Sequence, residues 1–203
     1  MNRRLVLALA LLGVAATLTG VIVARMIGGS DTALKGGTWL PNRRPVAEFH
    51  LQDLAGHEFG LPQLQGHPTL LFFGFTSCPD VCPTTLATLA QAERANPLPG
   101  TQVLFVSIDP QRDTPATLGA YLQAFSSDFI GIRGDDAALA PLLKSLSAIA
   151  VKQPLPDGGY TMDHSATLYL LDTHGRLAAV FSPPFNVSGL EDDLRHIANT
   201  GTL

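Results

Sequence analysis

Cys78 and Cys82 are the only cysteines among 203 residues, and their thiols are the first candidates for chemistry. They follow an apolar run at residues 69–74 that is typical of a buried strand, and they precede a run at residues 84–93 that is typical of a helix. Pro83 fits the first turn of that helix, which places Cys82 at or beside the N-cap. The free amides and the helix dipole at that position favour an anion, so we expect a stabilised thiolate.

Two thiols held this close can form a disulfide, reduce the disulfide of a partner or bind a soft metal ion. A metal site needs a further ligand, and the chain offers six histidines: His50, His57, His67, His164, His174 and His196. His164 stands directly before a strongly apolar strand, and a sheet that holds this strand beside the one before the cysteines would bring the histidine to the cysteine loop. We take His164 as the candidate third ligand, with Asp163 as a residue placed to orient its ring.

The type of ligand narrows the choice of metal. Two thiolates and one imidazole are soft ligands that suit copper, and Cu(I) accepts such low coordination. A structural zinc site normally closes with four protein ligands, and the chain has no third cysteine. Without a metal, the same thiols would be a redox pair that cycles between dithiol and disulfide. The residues alone leave the copper site and the redox pair both open.

Several charged residues lie near the thiols in the predicted fold. Asp80, between the two cysteines, is interpreted as a turn former and helix-start acid, or alternatively as a charge that tunes the thiols or docks a partner. Asp109, Arg112 and Asp113 follow a second buried strand, at residues 102–108, and so lie at the same carboxyl edge of the sheet as the cysteines. We expect these three residues to brace that edge.

The amino terminus carries an uncharged run of 19 residues, Leu5–Val23, close to the ~20 residues that cross a bilayer as a helix. We interpret residues 1–25 as an uncleaved membrane anchor, because a secretory signal has a shorter apolar region of about 7–15 residues. Arg3 and Arg4 should stay cytoplasmic, which places the rest of the chain outside the cytoplasm. The tail before the apolar run is too short for a mitochondrial transit peptide, so we expect a bacterial inner membrane with the domain in the periplasm. The glycine-rich residues 26–44 then form a linker.

Residues 45–203 show the order strand–helix–strand–helix, then a strand hairpin, then a last helix. This order is typical of a single thioredoxin-like α/β domain with a central mixed sheet. Three of the 13 basic residues lie in the first 25 residues, which leaves 10 basic residues against 17 acidic ones. An acidic domain without a basic stripe is a poor nucleic-acid binder, so we expect no nucleic-acid partner.

Three motifs together resemble those of the Sco/SenC family of cytochrome c oxidase assembly proteins. The first is GFTSCPDVCP at residues 74–83, which holds both cysteines. The second is VSIDP at residues 106–110, followed by RDTP at residues 112–115. The third is DHS at residues 163–165, directly before a strand. The motifs come in the family's order, and the resemblance spans about residues 46–197.

The resemblance implies a membrane-anchored, thioredoxin-like copper metallochaperone in which Cys78, Cys82 and His164 bind Cu(I) or Cu(II). Family members help to mature the dinuclear copper site, CuA, of cytochrome c oxidase subunit II. That subunit and a periplasmic copper donor chaperone are therefore the implied partners. We expect no enzymatic turnover. The alternative is a thiol–disulfide reductase that keeps the oxidase cysteines reduced through a Cys78–Cys82 redox disulfide.

Two other classes of thiol protein fit the sequence less well. General thioredoxins have a C-x-x-C motif and a cis-proline just before the third strand, whereas here the spacing is C-x-x-x-C and no proline lies between Pro156 and that strand. Peroxiredoxins carry a threonine three residues before the reactive cysteine. Here that position holds Phe75 for Cys78 and Pro79 for Cys82, so we do not expect a thiol peroxidase.

Overall fold

The computed structural model describes Thr19, residues 34–156, residues 158–201 and Leu203. Leu34–Leu203 form one compact unit. The predicted anchor, residues 1–25, lies outside the described residues apart from Thr19. In the part of the chain that is described, no helix is both long enough and apolar enough to cross a membrane.

Three strands open this unit, helices and strands then alternate up to the fourth helix, and four strands and a last helix follow. The strands are β1 (Gly37–Pro45), β2 (Leu51–Asp53), β3 (Glu58–Phe59), β4 (Thr69–Gly74), β5 (Gln102–Ser107), β6 (Ile130–Arg133), β7 (Ala150–Pro154), β8 (Tyr160–His164), β9 (Leu168–Leu171) and β10 (Arg176–Phe181). The helices are α1 (Leu61–Leu64), α2 (Val81–Ala95), α3 (Pro115–Gln123), α4 (Asp136–Leu146) and α5 (Val187–Thr200).

Eight strands form one mixed sheet in the order β1–β10–β9–β4–β5–β6–β2–β3. The central strands β4, β5 and β6 run parallel, while β9 runs antiparallel to β4, and β2 runs antiparallel to β6. Every residue of β4 is buried, as is every residue of β5 after Gln102. Such strands need cover on both faces, which is why their sequences are continuously apolar rather than alternating. The predicted central mixed sheet is therefore confirmed.

The helix after the cysteines, α2, begins earlier than its apolar pattern indicates. Its N-cap is Asp80, so both Val81 and Cys82 lie inside the first turn. The helix ends at Asn96, which adopts a left-handed conformation with φ 44°. The last helix, α5, contacts α2 and buries Leu190, Leu194 and Ile197, the apolar positions of its sequence pattern.

The first strand was not expected, because residues 37–44 belong to the predicted linker. In the structure β1 is an edge strand that pairs antiparallel with β10. Asp193 of α5, which is buried, accepts hydrogen bonds from the backbone amides of Lys35, Gly36 and Gly37 and so fixes the start of β1. The domain therefore begins inside the segment that was interpreted as linker.

The hairpin β7–β8 has no counterpart in the predicted order of strands and helices. It forms a separate two-stranded antiparallel sheet, and its last residue is His164, which pairs with Ala150. The side chains of Ile149 and Val151 are 59% and 46% exposed, so the outer face of the hairpin is not covered by other described residues. Because β7 is mostly exposed and β8 is only partly buried, their sequences lack the alternation that identifies a half-buried strand.

Candidate metal centre

The two thiols lie where the buried strand β4 leads into α2, with Cys78 in the connecting turn and Cys82 in the first turn of the helix. The Cys78 amide donates to the carbonyl oxygen of Phe75 at 3.2 Å, and the Cys82 amide donates to Cys78 Sγ at 3.4 Å. Both cysteines are free, and their exposed fractions are 9% for Cys78 and 0% for Cys82. The turn therefore folds Cys78 back towards Cys82, as the spacing predicts.

The prediction of a stabilised thiolate at Cys82 is wrong for the metal-free protein. Burial raises the pKa of the Cys82 thiol, and a backbone hydrogen bond from Phe75 opposes this only in part. The neighbouring Cys78 and Asp113 raise the pKa further, because negative groups disfavour a second negative charge. The cost of removing a thiolate from water thus exceeds the stabilisation that the helix dipole offers it. Burial therefore favours the protonated form of Cys82 in the absence of a metal ion.

His164 brings an imidazole to the thiols from a distant part of the chain. Its Nε2 lies 3.6 Å from Cys82 Sγ, and its Nδ1 lies 3.1 Å from the carbonyl oxygen of Ser165. Since a carbonyl oxygen only accepts, Nδ1 carries the proton and Nε2 presents a lone pair to the thiols. The rings of Phe72 and Phe75 meet the imidazole edge-on, with centroids 6.1 and 5.8 Å away.

Burial also favours the neutral form of this histidine. Desolvation lowers the pKa of His164, while the hydrogen bond to Ser165 and the charge of Asp163 raise it to a smaller extent. A neutral imidazole with its free nitrogen facing two thiols is the form that binds a metal ion.

Cys78, Cys82 and His164 together form a group of three ligand atoms that all lie within 4.8 Å of one another. No other histidine joins this group among the residues that the structure describes. His50 and His57 are exposed and pair instead with Glu58 and Asp53. The structure thus singles out the same histidine that its sequence context favours.

The two predicted neighbours of the ligands, Asp80 and Asp163, are both exposed. Asp80 is the N-cap residue of α2, and its Oδ1 accepts a hydrogen bond of 3.5 Å from the Thr84 hydroxyl. The carbonyl of Ser165, rather than the carboxylate of Asp163, is the described partner of the His164 ring. A role for either aspartate in tuning the thiols stays a prediction.

Asp113 holds the cysteine loop in place, which its position in the sequence does not indicate. Its buried carboxylate accepts hydrogen bonds from the Thr76 amide at 3.2 Å, the Thr76 hydroxyl at 2.6 Å and the Ser107 hydroxyl at 2.7 Å. These bonds tie the cysteine loop to the end of β5. The expected bracing role of the segment after β5 is confirmed here, although only the fold shows that Asp113 carries it.

Tyr121 of α3 places a phenol near the thiols, although no motif in the sequence indicates it. Its hydroxyl is buried and has no hydrogen-bond partner among the described residues. Burial raises the pKa of Tyr121, with smaller contributions from Cys82 and Cys78. The ring packs on Phe105, whose edge lies beside Gly74, where an added Cβ would meet Phe105 Cε2 at 2.7 Å and Cys82 Sγ at 3.0 Å.

Residues 40–199 match the family model described as SCO1/SenC. A protein of Stutzerimonas stutzeri, named as a candidate copper-binding protein, is 35% identical over 164 residues, which cover 78% of this chain and 79% of that protein. The copper-bound structure of ScoI from Bradyrhizobium japonicum is 39% identical, with a TM-score of 0.65 over 77% of this chain and 98% of that one.

The solution structure of apo Sco1 from Thermus thermophilus is 35% identical, with a TM-score of 0.71 over 85% of this chain and 99% of that one. Both solved structures are therefore covered almost completely by this chain. The predicted thioredoxin-like α/β fold is confirmed by these two likenesses.

Proposed function

The chain belongs to the SCO1/SenC family, and on that premise we propose that it is a copper-binding metallochaperone. Its role is to help assemble the dinuclear CuA site of cytochrome c oxidase subunit II. It carries copper as cargo and does not turn over a substrate.

The observation that carries this proposal is the convergence of Cys78, Cys82 and His164 within 4.8 Å. These three residues are the proposed copper ligands. Two sulfur ligands suit Cu(I), and addition of the neutral imidazole gives a site that also suits Cu(II). Because thiolates rather than thiols bind metals, copper takes the place of the proton that burial favours on Cys82 in the metal-free protein.

The partners follow from the same chemistry. A carrier needs a source and a recipient, and we propose a periplasmic copper donor chaperone and oxidase subunit II. The His164 ring is partly exposed, whereas Cys82 is fully buried. A partner therefore reaches the site from the side of the histidine, and exchange of the imidazole for a ligand of the partner would begin the transfer.

The location of the domain is also part of the proposal. The uncharged run Leu5–Val23, flanked by Arg3 and Arg4, supports an anchor in a bacterial inner membrane with the domain in the periplasm. Protease added to intact spheroplasts should digest the domain. Protection of the domain until the membrane is broken would place it on the cytoplasmic side and overturn the topology.

A thiol–disulfide reductase is the second candidate function, and the closeness of two free thiols favours it. In that reaction Cys78 and Cys82 would pass two electrons and two protons to a disulfide of the partner and become a disulfide themselves. We rank this function second, because the imidazole of His164 completes a metal site that a reductase does not need.

His164→Ala separates the two functions, since a reductase needs only the cysteines. Oxidase activity is measured in cells that carry each variant, at limiting and at added copper. A carrier predicts low activity for His164→Ala at limiting copper and recovery when copper is added. Full activity of His164→Ala at limiting copper would overturn copper delivery and favour the reductase.

A further inference from the structure

The hairpin β7–β8 holds the proposed histidine ligand, yet it belongs to a sheet of its own. A two-stranded hairpin is marginally stable alone, so contacts with the rest of the domain must keep it in place. Alternate residues of a strand share a face, and in β8 these are Tyr160, Met162 and His164. This face is turned towards the domain, because His164 meets Cys82 there.

A cleft runs between the middle of the hairpin and the domain. It measures about 570 Å³, and its lining includes Ile108, Leu139, Leu143, Ala150, Lys152 and Met162. Ala150 and Met162 pack against the core and Lys152 Nζ donates to Gln111 Oε1 at 2.9 Å, but the cleft limits what the middle of the hairpin gains from burial. The contacts at the two ends of the hairpin, made by His164 and by Tyr160, therefore add to the hold of the domain on it.

Three residues make the contact at the Tyr160 end, and we call them the clasp: Asp109, Arg112 and Tyr160. The Tyr160 hydroxyl donates to Asp109 Oδ1 at 2.8 Å, and Arg112 Nη1 donates to the Tyr160 carbonyl oxygen at 3.0 Å. The Arg112 guanidinium also lies over the Tyr160 ring, 4.0 Å from its centroid, and forms an ion pair with Asp109.

The clasp also touches the surroundings of the metal centre. Arg112 lies 5.7 Å from the centroid of Phe75, and the Phe75 ring packs edge-on against the His164 ring. Asp109 and Arg112 follow β5, so the clasp joins the carboxyl edge of the main sheet to the separate hairpin. Through these contacts, a change at Tyr160 reaches the histidine four residues later.

We propose that the clasp is the positioning element that keeps His164 over the two thiols, and that it thereby sets how tightly the site holds Cu(II) relative to Cu(I). This inference rests on the proposed copper function. Cu(II) needs the imidazole, whereas two thiolates can hold Cu(I) without it. A loose clasp therefore lowers the affinity for Cu(II) and leaves the affinity for Cu(I) nearly unchanged.

The first test needs no copper. Amide hydrogen exchange of β7–β8 is measured on the reduced, metal-free full-length protein in detergent micelles. Tyr160→Phe, which removes one hydrogen bond to a carboxylate, should speed exchange about tenfold, and Tyr160→Leu, which also removes the ring, should speed it further. Thr161→Val is the matched control, because its hydroxyl lies one residue along on the opposite face. Unchanged exchange in both Tyr160 variants would overturn the proposal.

The second test uses copper itself. Tyr160→Phe should lower the Cu(II) affinity about tenfold and alter the Cu(II) electron paramagnetic resonance spectrum, while the Cu(I) affinity changes less than about threefold. In a His164→Ala background the same change should have no further effect on Cu(II). An unaltered Cu(II) spectrum and affinity in Tyr160→Leu, or an equal loss of both oxidation states, would overturn the positioning role.

The proposed ligand set and the proposed role of the clasp can be overturned independently of each other. Should His164→Ala leave the Cu(II) spectrum and affinity of the otherwise unchanged protein intact, the proposed ligand set is overturned. The hydrogen-exchange measurement still supports or overturns the clasp in that case, because it reports the hold on the hairpin without any metal.

Discussion

Cys82 Sγ and His164 Nε2 lie 3.6 Å apart although 82 residues separate them in the chain. The cysteine belongs to the first turn of α2, which packs on the buried sheet, whereas the histidine ends a hairpin outside that sheet. The proposed copper site therefore joins a rigid half, made of two thiols, to a half that depends on the clasp for its position.

Removal of the individual ligands should have unequal effects. Cys82→Ser removes one of two sulfur ligands, so we expect binding of both Cu(I) and Cu(II) to fall by orders of magnitude. His164→Ala should keep Cu(I) and lose most Cu(II) affinity. Competition titrations with a chelator for each oxidation state measure both values. Tight Cu(II) binding by His164→Ala would show that the third ligand lies elsewhere.

Oxidation of the thiols should abolish copper binding. A Cys78–Cys82 disulfide consumes both thiolates, and metal binding requires them. We expect about one copper per chain in the reduced protein and none after oxidation, with recovery after treatment with a reductant. Thiol counting alongside the copper assay checks the prediction, and copper bound at full stoichiometry by a fully oxidised sample would contradict it.

The buried carboxylate of Asp113 should matter for stability. Asp113→Ala leaves the Ser107 hydroxyl and the Thr76 amide without their acceptor, and we expect a loss of about 3 kcal/mol in the free energy of unfolding. Denaturant unfolding of the metal-free protein measures it. The control is Asp128→Ala, which removes an exposed carboxylate and should change stability by less than about 0.5 kcal/mol. Equal effects of the two changes would disprove the bracing role of Asp113.

Gly74 should tolerate no side chain. In Gly74→Ala the new methyl group would press on Phe105 and on the Cys82 sulfur, which should cost about 1–3 kcal/mol and weaken copper binding. Gly119→Ala is the control, because its methyl group meets only Leu54 at 3.5 Å and it lies within α3. That change should stabilise the protein by about 0.5–1 kcal/mol. A neutral Gly74→Ala would mean that the space beside the thiol is larger than described.

The hydroxyl of Tyr121 should be dispensable for folding. Because it is buried without a described partner, Tyr121→Phe removes a desolvated polar group and should leave the stability unchanged or raise it by up to about 1 kcal/mol. Thermal unfolding with and without copper measures the effect. A clear destabilisation of the metal-free protein would show that the hydroxyl has a partner, such as a bound water molecule.

The parts of the fold that could be predicted are those with a local signal. The continuous apolar runs of β4 and β5 identify buried strands, and the cysteine spacing with Pro83 identifies a helix start. Edge strand β1 escaped prediction because its sequence, GTWLPNRRP, is mostly exposed and contains two prolines. Its position comes from pairing with β10 and from Asp193, both more than 130 residues away.

The candidate site likewise has features that a local sequence pattern predicts and features that only the whole fold determines. The spacing of Cys78 and Cys82 is local, so the pairing of the two thiols could be predicted from the sequence alone. The charge state of Cys82 could not, because a helix start favours a thiolate whereas burial, which depends on the whole fold, opposes it. The clasp could not be predicted from the sequence either, because Asp109 and Tyr160 come into contact only in the folded domain.

Because the ligands come from the start of α2 and from a hairpin outside the main sheet, bound copper would act as a cross-link. An ion held by Cys82 and His164 closes a loop of 82 residues, and a link over a loop of that length disfavours the unfolded chain by about 4–5 kcal/mol. Loss of the ion to a recipient would remove this restraint. The copper-free form would therefore be more open to proteases than the loaded form, and the lifetime of the protein would depend on whether copper is bound.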